Sequence, residues 1–236
     1  MLARLFRFCL KTQTFPLTWK HALVQPIFKN GDRSNPSNYR PIALTSTVSK
    51  VHECLLNSHF LKHLESNSLL SDHQYGFRKA RSTGDILSYI TNVWASSLRD
   101  FGESFVVGLD ISKAFDRVWH QGLISKLPSF GFPPSLCSLI SSFLSDRSIC
   151  VIVDGSTSPP FSINSSVPQD SVLSPTFFLL FINDLLSSTN NQMHSYVDDS
   201  TLHSSMSFPS APSSLTRSTS RFITATSLNS DLDKIS

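Results

Sequence analysis

Two short apolar stretches that run into acids, SFVVGLD at residues 104–110 and HSYVDDST at residues 194–201, constrain the fold of this chain more than any other feature. Phe105, Val106, Val107 and Leu109 make a short buried strand that ends on Asp110. Asp198 and Asp199 follow Tyr196 and Val197 directly, although a strand would send adjacent side chains to opposite faces. The second stretch therefore reads as strand, turn and strand. Asp-Asp-Ser-Thr is also ordinary turn chemistry and by itself marks only a hairpin tip. If this hairpin and the first strand share a sheet, three carboxylates meet although positions 110 and 198 lie 88 apart. Like charges gathered in this way repel, and a divalent cation is the economical way to neutralise them. Mg²⁺ takes oxygen ligands and keeps waters, so a few carboxylates plus substrate phosphates suit it, and two such ions about 4 Å apart clamp an in-line phosphoryl displacement.

The rest of the chain bounds that reading. With 40% hydrophobic and 11% aromatic residues over 236 positions, the composition is globular. Of the 20 lysines and arginines, 16 fall in residues 1–126 against nine acids, while residues 127–236 hold four against eight. A basic half beside an acidic half suits phosphates on one surface and cations on another, or simply uneven solvated surfaces. Cys9, Cys54, Cys137 and Cys150 form no C-x-x-C pair, which argues against zinc and a disulfide framework and for reduced thiols, mostly in the core. MLARLFRFCL is broken by Arg4 and Arg7 and reads as an amphipathic helix, not a signal peptide. TFFLLFINDLL at 176–186 is too short to span a bilayer. No Walker A motif is present, which excludes a P-loop ATPase.

Residues 1–65 read as short helices around the polar turn KNGDRSNPSNYRP, followed by one long helix over SKVHECLLNSHFLKHLES. A loop, LSDHQYGFRKARSTGD, leads to a helix from Asp85 to about Leu98. After the strand at 104–110 come helical stretches at 123–127 and 134–144, a strand closed by Asp154-Gly155 with PFSIN as its hairpin partner, and a helix from Leu173 to Leu186. The order from residue 104, β-α-β-β-α-β-β, contains the elements of a split βαβ sheet. Residues 207–220 are rich in Ser, Pro and Thr and read as a connector, with a further helix beginning near Leu228.

Five blocks in order, over roughly residues 15–203, resemble the reverse transcriptases of non-LTR (LINE-type) retrotransposons. They are PIFKNGDRSNPSNYRPIALTSTVSKVHE, QYGFRKARST, FVVGLDISKAFDRVWH, VPQDSVLSPTFFLLFINDL and YVDD. The resemblance implies an α+β fold of right-hand polymerase fingers and palm. Residues 1–103 would be fingers and 104–206 a palm of split βαβ-type antiparallel sheet with helices on one face. Residues 207–236 would be a connector and a truncated helix, with the thumb missing. It implies RNA-directed DNA polymerase activity, a nucleotidyltransferase joining a dNTP to a primer 3′-hydroxyl. Mg²⁺, or Mn²⁺ in its place, would be held by Asp110, Asp198 and Asp199. Phe115 would exclude a 2′-hydroxyl, Lys29 and Arg40 would meet the triphosphate, and Gln169 would lie against nucleotide or template. Phe77 and Arg78 would touch nucleic acid, although Phe77 and Phe115 also suit a core and Lys29 a solvated surface. Implied partners are RNA template, DNA primer and dNTP, with no membrane and no predictable protein partner. The implied location is intracellular, in nucleus or cytoplasm, and not secreted.

Two positions depart from the family pattern. Asp170 stands where glycine is expected, adding a β-carbon and a negative charge where phosphates should pass. Val197 replaces a common alanine, a tolerated change. Without a thumb, template grip and processivity should fall. The alternative function is therefore a catalytically inactive transposon remnant that at most binds nucleic acid through Lys29, Arg40, Arg78, Lys79 and Arg81. A two-metal nuclease shares the carboxylate chemistry but fits Phe115 and Gln169 poorly.

Overall fold

The structure, a computed structural model, describes residues 1–102, 104–111, 113–163, 165–187, 192–205 and 221–226. The chain opens on helix α1 (Leu2–Thr12), which buries Phe6 and Cys9 and leaves Arg4 and Arg7 exposed, as its amphipathic pattern demands. Strands β1 (His21–Phe28) and β2 (Tyr39–Leu44) follow as an antiparallel pair, with Leu23 opposite Leu44 and Phe28 opposite Tyr39. The Ser46 hydroxyl caps α2 (Thr47–Ser66), accepting from the Ser49 N–H. His52, Glu53, Leu56, Phe60 and Leu64 recur on one face of that helix and are all buried. A reciprocal Ser82–Asp85 capping box starts α3 (Thr83–Phe101).

Strand β3 (Ser104–Asp110) is followed by α4 (His120–Lys126) and α5 (Pro134–Leu144), the latter begun by Pro133-Pro134 with no N–H to leave unpaired. Next come β4 (Arg147–Val153), β5 (Ser156–Thr157) and β6 (Phe161–Ile163). Asp154 and Gly155 both have positive φ, 49° and 79°, the sign pattern of the type I′ turn that Asp-Gly favours. The chain continues through α6 (Ser174–Ile182), β7 (Gln192–Tyr196), β8 (Asp199–Ser205) and β9 (Arg221–Thr226). Among the described residues no helix is long and apolar enough to cross a membrane.

Two compact units result, each drawn from two parts of the chain: Met1–Leu69 with Phe115–Phe181, and Leu70–Ala114 with Ile182–Ser236. In the first, β1 is flanked by β2 and by β4, and β4 also pairs with β5 and β6. Its core is built on Leu64, Leu123, Leu139, Phe143 and Phe177, all fully buried, and each such side chain contributes about 1.5–3 kcal/mol relative to exposure. Buried Glu53 ties α2 to the segment before α6, accepting from the hydroxyls of Ser49 at 2.7 Å and Ser171 at 2.5 Å and from the Val172 N–H at 2.9 Å. The second unit is a sheet of order β7-β8-β3-β9.

The α+β class stands, and four expectations need correction. Residues 13–46 are dominated by the β1–β2 hairpin rather than by short helices, their helical turns being three-residue 3₁₀ turns at Leu17–Trp19 and Pro36–Asn38, because β1 is completed by β4, a strand more than 120 positions later that local periodicity does not reveal. For the same reason β4 and β6 leave β3 and join β1, so β3 and β4 do not form the expected split βαβ sheet. The strand parallel to β3 is β9, with Asp110 opposite Thr226, which makes that sheet mixed rather than antiparallel and puts a strand inside the segment read as connector and helix. Of the four cysteines, all free, only Cys9 is buried, so the thiols are not mostly core. The connector at 207–220 and the helix near Leu228 lie outside the described residues.

Candidate active site

The register of the second unit's sheet decides where its acids go. β3 and β8 pair antiparallel from Ser104 opposite Ser205 to Asp110 opposite Asp199, and Asp199 is opposite Tyr196 across the β7–β8 hairpin. Side chains two apart share a face, so Val106, Gly108 and Asp110 lie on one face with their partners His203, Thr201 and Asp199. α3 covers the far end of that face, with the Tyr89 ring 4.7 Å from His194. Val106 and His203 are buried there, whereas Asp110 and Asp199 emerge exposed at the strand ends.

Asp198 sits in the two-residue turn between β7 and β8. Its neighbour Val197 has φ 63°, the left-handed region that a β-branched residue rarely enters. The segment before α3 runs alongside: the Ser195 N–H donates to the His73 carbonyl, and the Tyr75 N–H to the Ser195 carbonyl, both at 2.9 Å. Burial pushes the Asp198 carboxyl above its ordinary range, and the charges of Asp199 and Asp110 add to the shift. Asp110 and Asp199 are cross-strand partners, and Asp198 is in the turn that adjoins them. Behind the turn, burial and then neighbouring His73 and His203 lower His194 to about 4, so this imidazole is neutral at neutral pH.

The other candidate residues divide between the units. In the first, Lys29 and Arg40 are exposed on the β1–β2 hairpin, Arg40 opposite Ile27. Phe115 stacks on Phe178 at 4.9 Å, and its carbonyl accepts from the Val167 N–H at 3.0 Å, bringing the chain before Gln169 to it. The Gln169 amide donates to Asp116 at 3.2 Å, beside a cavity of about 140 Å³ whose lining includes Lys20, Arg147 and Pro168. In the second unit Phe77 is exposed, but Arg78 is not the open guanidinium expected for nucleic acid. Its side chain is 5% exposed, donates to the Ser71 carbonyl at 2.7 Å and faces Asp72. Asp170, where glycine was expected, has φ 67°, and its carboxylate pairs with Lys50. The backbone there is thus the glycine-like conformation, which aspartate tolerates better than most residues.

Sequence reasoning passed over Gln74, Gly76 and Asp116. Gly76 carried the one available signal, a glycine beside two aromatics, and it marks a close approach: a β-carbon there would lie 2.4 Å from Val197 Cγ2.

An α+β fold with three acids at one end of a mixed sheet is the fold of polymerase fingers and palm. The solved structures of telomerase from Candida tropicalis share it, with TM-score 0.56 for the apo form truncated from its C-terminal domain (13% identity, 80% of this chain, 44% of that one). The form in complex with a fragment of telomeric RNA gives 0.59 (12% identity, 86% and 40%). Residues 27–236 match the family described as reverse transcriptase (RNA-dependent DNA polymerase), and the chain belongs to that family. It is 37% identical over 185 residues to a probable RNA-directed DNA polymerase from transposon BS of Drosophila melanogaster, covering 78% of this chain and 20% of that protein. It is 35% identical to the RNA-directed DNA polymerase from mobile element jockey of the same species (78% and 20%). To the retrovirus-related Pol polyprotein from type-1 retrotransposable element R2 of Popillia japonica it is 33% identical (73% and 24%). The chain thus spans about a fifth to a quarter of the length of these relatives.

Proposed function

We propose that this chain supplies the site at which an RNA-directed DNA polymerase joins a deoxynucleotide to a primer, with Asp110, Asp198 and Asp199 holding Mg²⁺ or Mn²⁺. The observation that carries the reading is Asp110 directly opposite Asp199 with Asp198 in the adjoining turn. Like charges facing each other across strands are destabilising, and a protein with no use for them has every reason to replace one. The donor set fits a hard divalent ion. Among the described residues no group of three or more His, Cys, Asp or Glu is placed to hold a metal ion by itself, so the proposed ion depends on water and substrate phosphates for its remaining ligands. When bound, such ions stabilise the charge on the attacking and leaving oxygens.

The reaction forms a bond from the primer 3′-oxygen to the α-phosphorus of the dNTP, breaks the bond to the β-phosphate bridge and releases pyrophosphate. Within it the chain's own groups position and stabilise. The exposed guanidinium of Arg40 and ammonium of Lys29 are cations free to meet triphosphate oxygens. The Phe115 ring, fixed by stacking on Phe178, is the bulk that a 2′-hydroxyl would meet. Gln169 offers an amide to nucleotide or template. Exposed Phe77 supplies a surface on which a base stacks.

The test is extension of a labelled DNA primer on an RNA template with dNTPs and Mg²⁺ or Mn²⁺. Extension by the chain should be weak at best, as Asp170 implies, and Asp110→Asn should abolish what there is; synthesis by Asp110→Asn removes the assignment. Salt-sensitive RNA binding with no synthesis by the parent chain supports instead a remnant that only binds nucleic acid.

A further inference from the structure

We infer that Gln74 is a positioning residue for the carboxylate-bearing turn, an extension of the proposed function that rests on that reading. Gln74 lies in the segment between α2 and α3 and is 2% exposed. Its amide uses every hydrogen-bonding site it has. Oε1 accepts from the Gly76 N–H at 2.9 Å and from the Val197 N–H at 3.1 Å. Nε2 donates to the Val197 carbonyl at 3.3 Å and to Ser195 Oγ at 3.4 Å.

The side chain thus grips both the N–H and the C=O of one residue, the pair of bonds that an opposed residue supplies in an antiparallel ladder. It does so at Val197, where the pairing of β7 with β8 has stopped and the backbone turns. A two-residue turn with positive φ only at its first central position has the sign pattern of type II′, which asks for glycine there. Valine enters that conformation only where its surroundings impose it. Gln74 imposes it through hydrogen bonds, and Gly76 makes the room, since a β-carbon on Gly76 would lie 2.4 Å from Val197 Cγ2 and 2.5 Å from Val197 N. Asp198 is the next residue, in the turn itself, so the direction of its carboxylate follows from the torsions of Val197, while Asp199 is the residue at which the ladder resumes.

The experiment compares the full chain with Gln74→Met, which keeps length and volume but has no amide. Two readouts need no catalysis: hydrogen exchange at the Val197 amide, followed by NMR, and Mn²⁺ affinity, followed by electron paramagnetic resonance. Gln74→Met should speed Val197 exchange and weaken Mn²⁺ binding by about tenfold, the lower end of what hydrogen-bond partners of metal ligands contribute. Adding Val197→Gly should restore most of the affinity, because glycine reaches the turn conformation unaided. Val197 protection unchanged by Gln74→Met overturns the inference, as does a Mn²⁺ deficit that glycine at 197 leaves in place, which would make Gln74 a packing residue. Absence of Mn²⁺ binding by the parent chain overturns the metal reading instead, and the exchange of Val197 then decides on Gln74 alone. If Gln74→Met does not fold, Gln74→Asn, one methylene too short to reach, carries the same expectations.

Discussion

Asp110→Asn separates a carboxylate kept for cations from one kept for the fold, because the two roles predict stability changes of opposite sign. Asp110 and Asp199 are cross-strand partners, and directly opposed positions place their β-carbons about 5 Å apart. Both residues are exposed, so a water-like dielectric applies and the repulsion between full charges comes to about 0.8 kcal/mol. Asparagine preserves the shape and removes the charge. In chelator at low salt, urea denaturation should therefore find the variant more stable than the parent by about 0.5–1 kcal/mol. At 0.5 M NaCl, where the screening length is roughly 4 Å, most of that gain should vanish. Magnesium should then act in the opposite sense, since an ion bound only by the folded state adds about 1.4 kcal/mol at ten times its dissociation constant. The parent should gain that stability and the variant should gain much less. A variant less stable than the parent in chelator shows that Asp110 is a structural cap, and an equal magnesium effect on both proteins shows that the ion binds elsewhere. Either result refutes the argument from crowded charge.

Other measurements bear on the groups around the turn and on the segment carrying Gln169. His194 is faced by His73, His203, Tyr75 and Tyr89, and its folded pKa of about 4 lies below the ordinary 6.5. The unfolded chain takes up this proton first as pH falls, so stability should decline from about pH 6.5 and the loss be complete below about pH 4, by about 3 kcal/mol. His203, lowered in the same direction, adds to the decline, and a urea midpoint flat between pH 7 and 4.5 would contradict it. Glu53→Ala strands the donors of Ser49, Ser171 and Val172 and should cost about 3 kcal/mol by urea denaturation; a cost below about 1 kcal/mol means that water replaces the carboxylate. Asp170→Gly should relieve the positive φ at the expense of a half-exposed Lys50 pair, leaving stability within about 1 kcal/mol of the parent. It should also raise primer extension, and unchanged extension counts against a charge at 170 obstructing phosphates.

The elements that owe their existence to local chemistry were legible in the sequence. The double proline before α5 and the Asp154-Gly155 turn both act within a few residues of where they are written. Strand partners were not legible. β1 depends on β4 for its second neighbour, and β3 takes β9 as its parallel neighbour, whose Phe222, Ile223 and Thr224 suit a strand but follow a Ser-, Pro- and Thr-rich stretch that masks it. The three acids could be grouped without that knowledge because each ends or interrupts an apolar strand, and because repulsion among them calls for a common explanation. Arg78 failed for the converse reason: a guanidinium looks the same in sequence whether its partner is a phosphate or, as here, the Ser71 carbonyl.

The least legible property of the site is its backbone, since the usual marker of a left-handed residue is glycine and none of the relevant residues is one. Phe77 has φ 54°, Asp170 67° and Val197 63°, in three of the five segments from which the site residues were drawn. Gly76, by contrast, is required for contact with Val197 rather than for a torsion of its own. The conformational need and the glycine that serves it thus sit 121 positions apart in the chain. A strained residue persists only where its surroundings over-determine it, so a valine held at positive φ beside two aspartates points away from itself, to whatever holds it. Here that is an amide with all four of its hydrogen bonds spent within the turn and its support, and a change at Gln74 should reach the carboxylates without touching them.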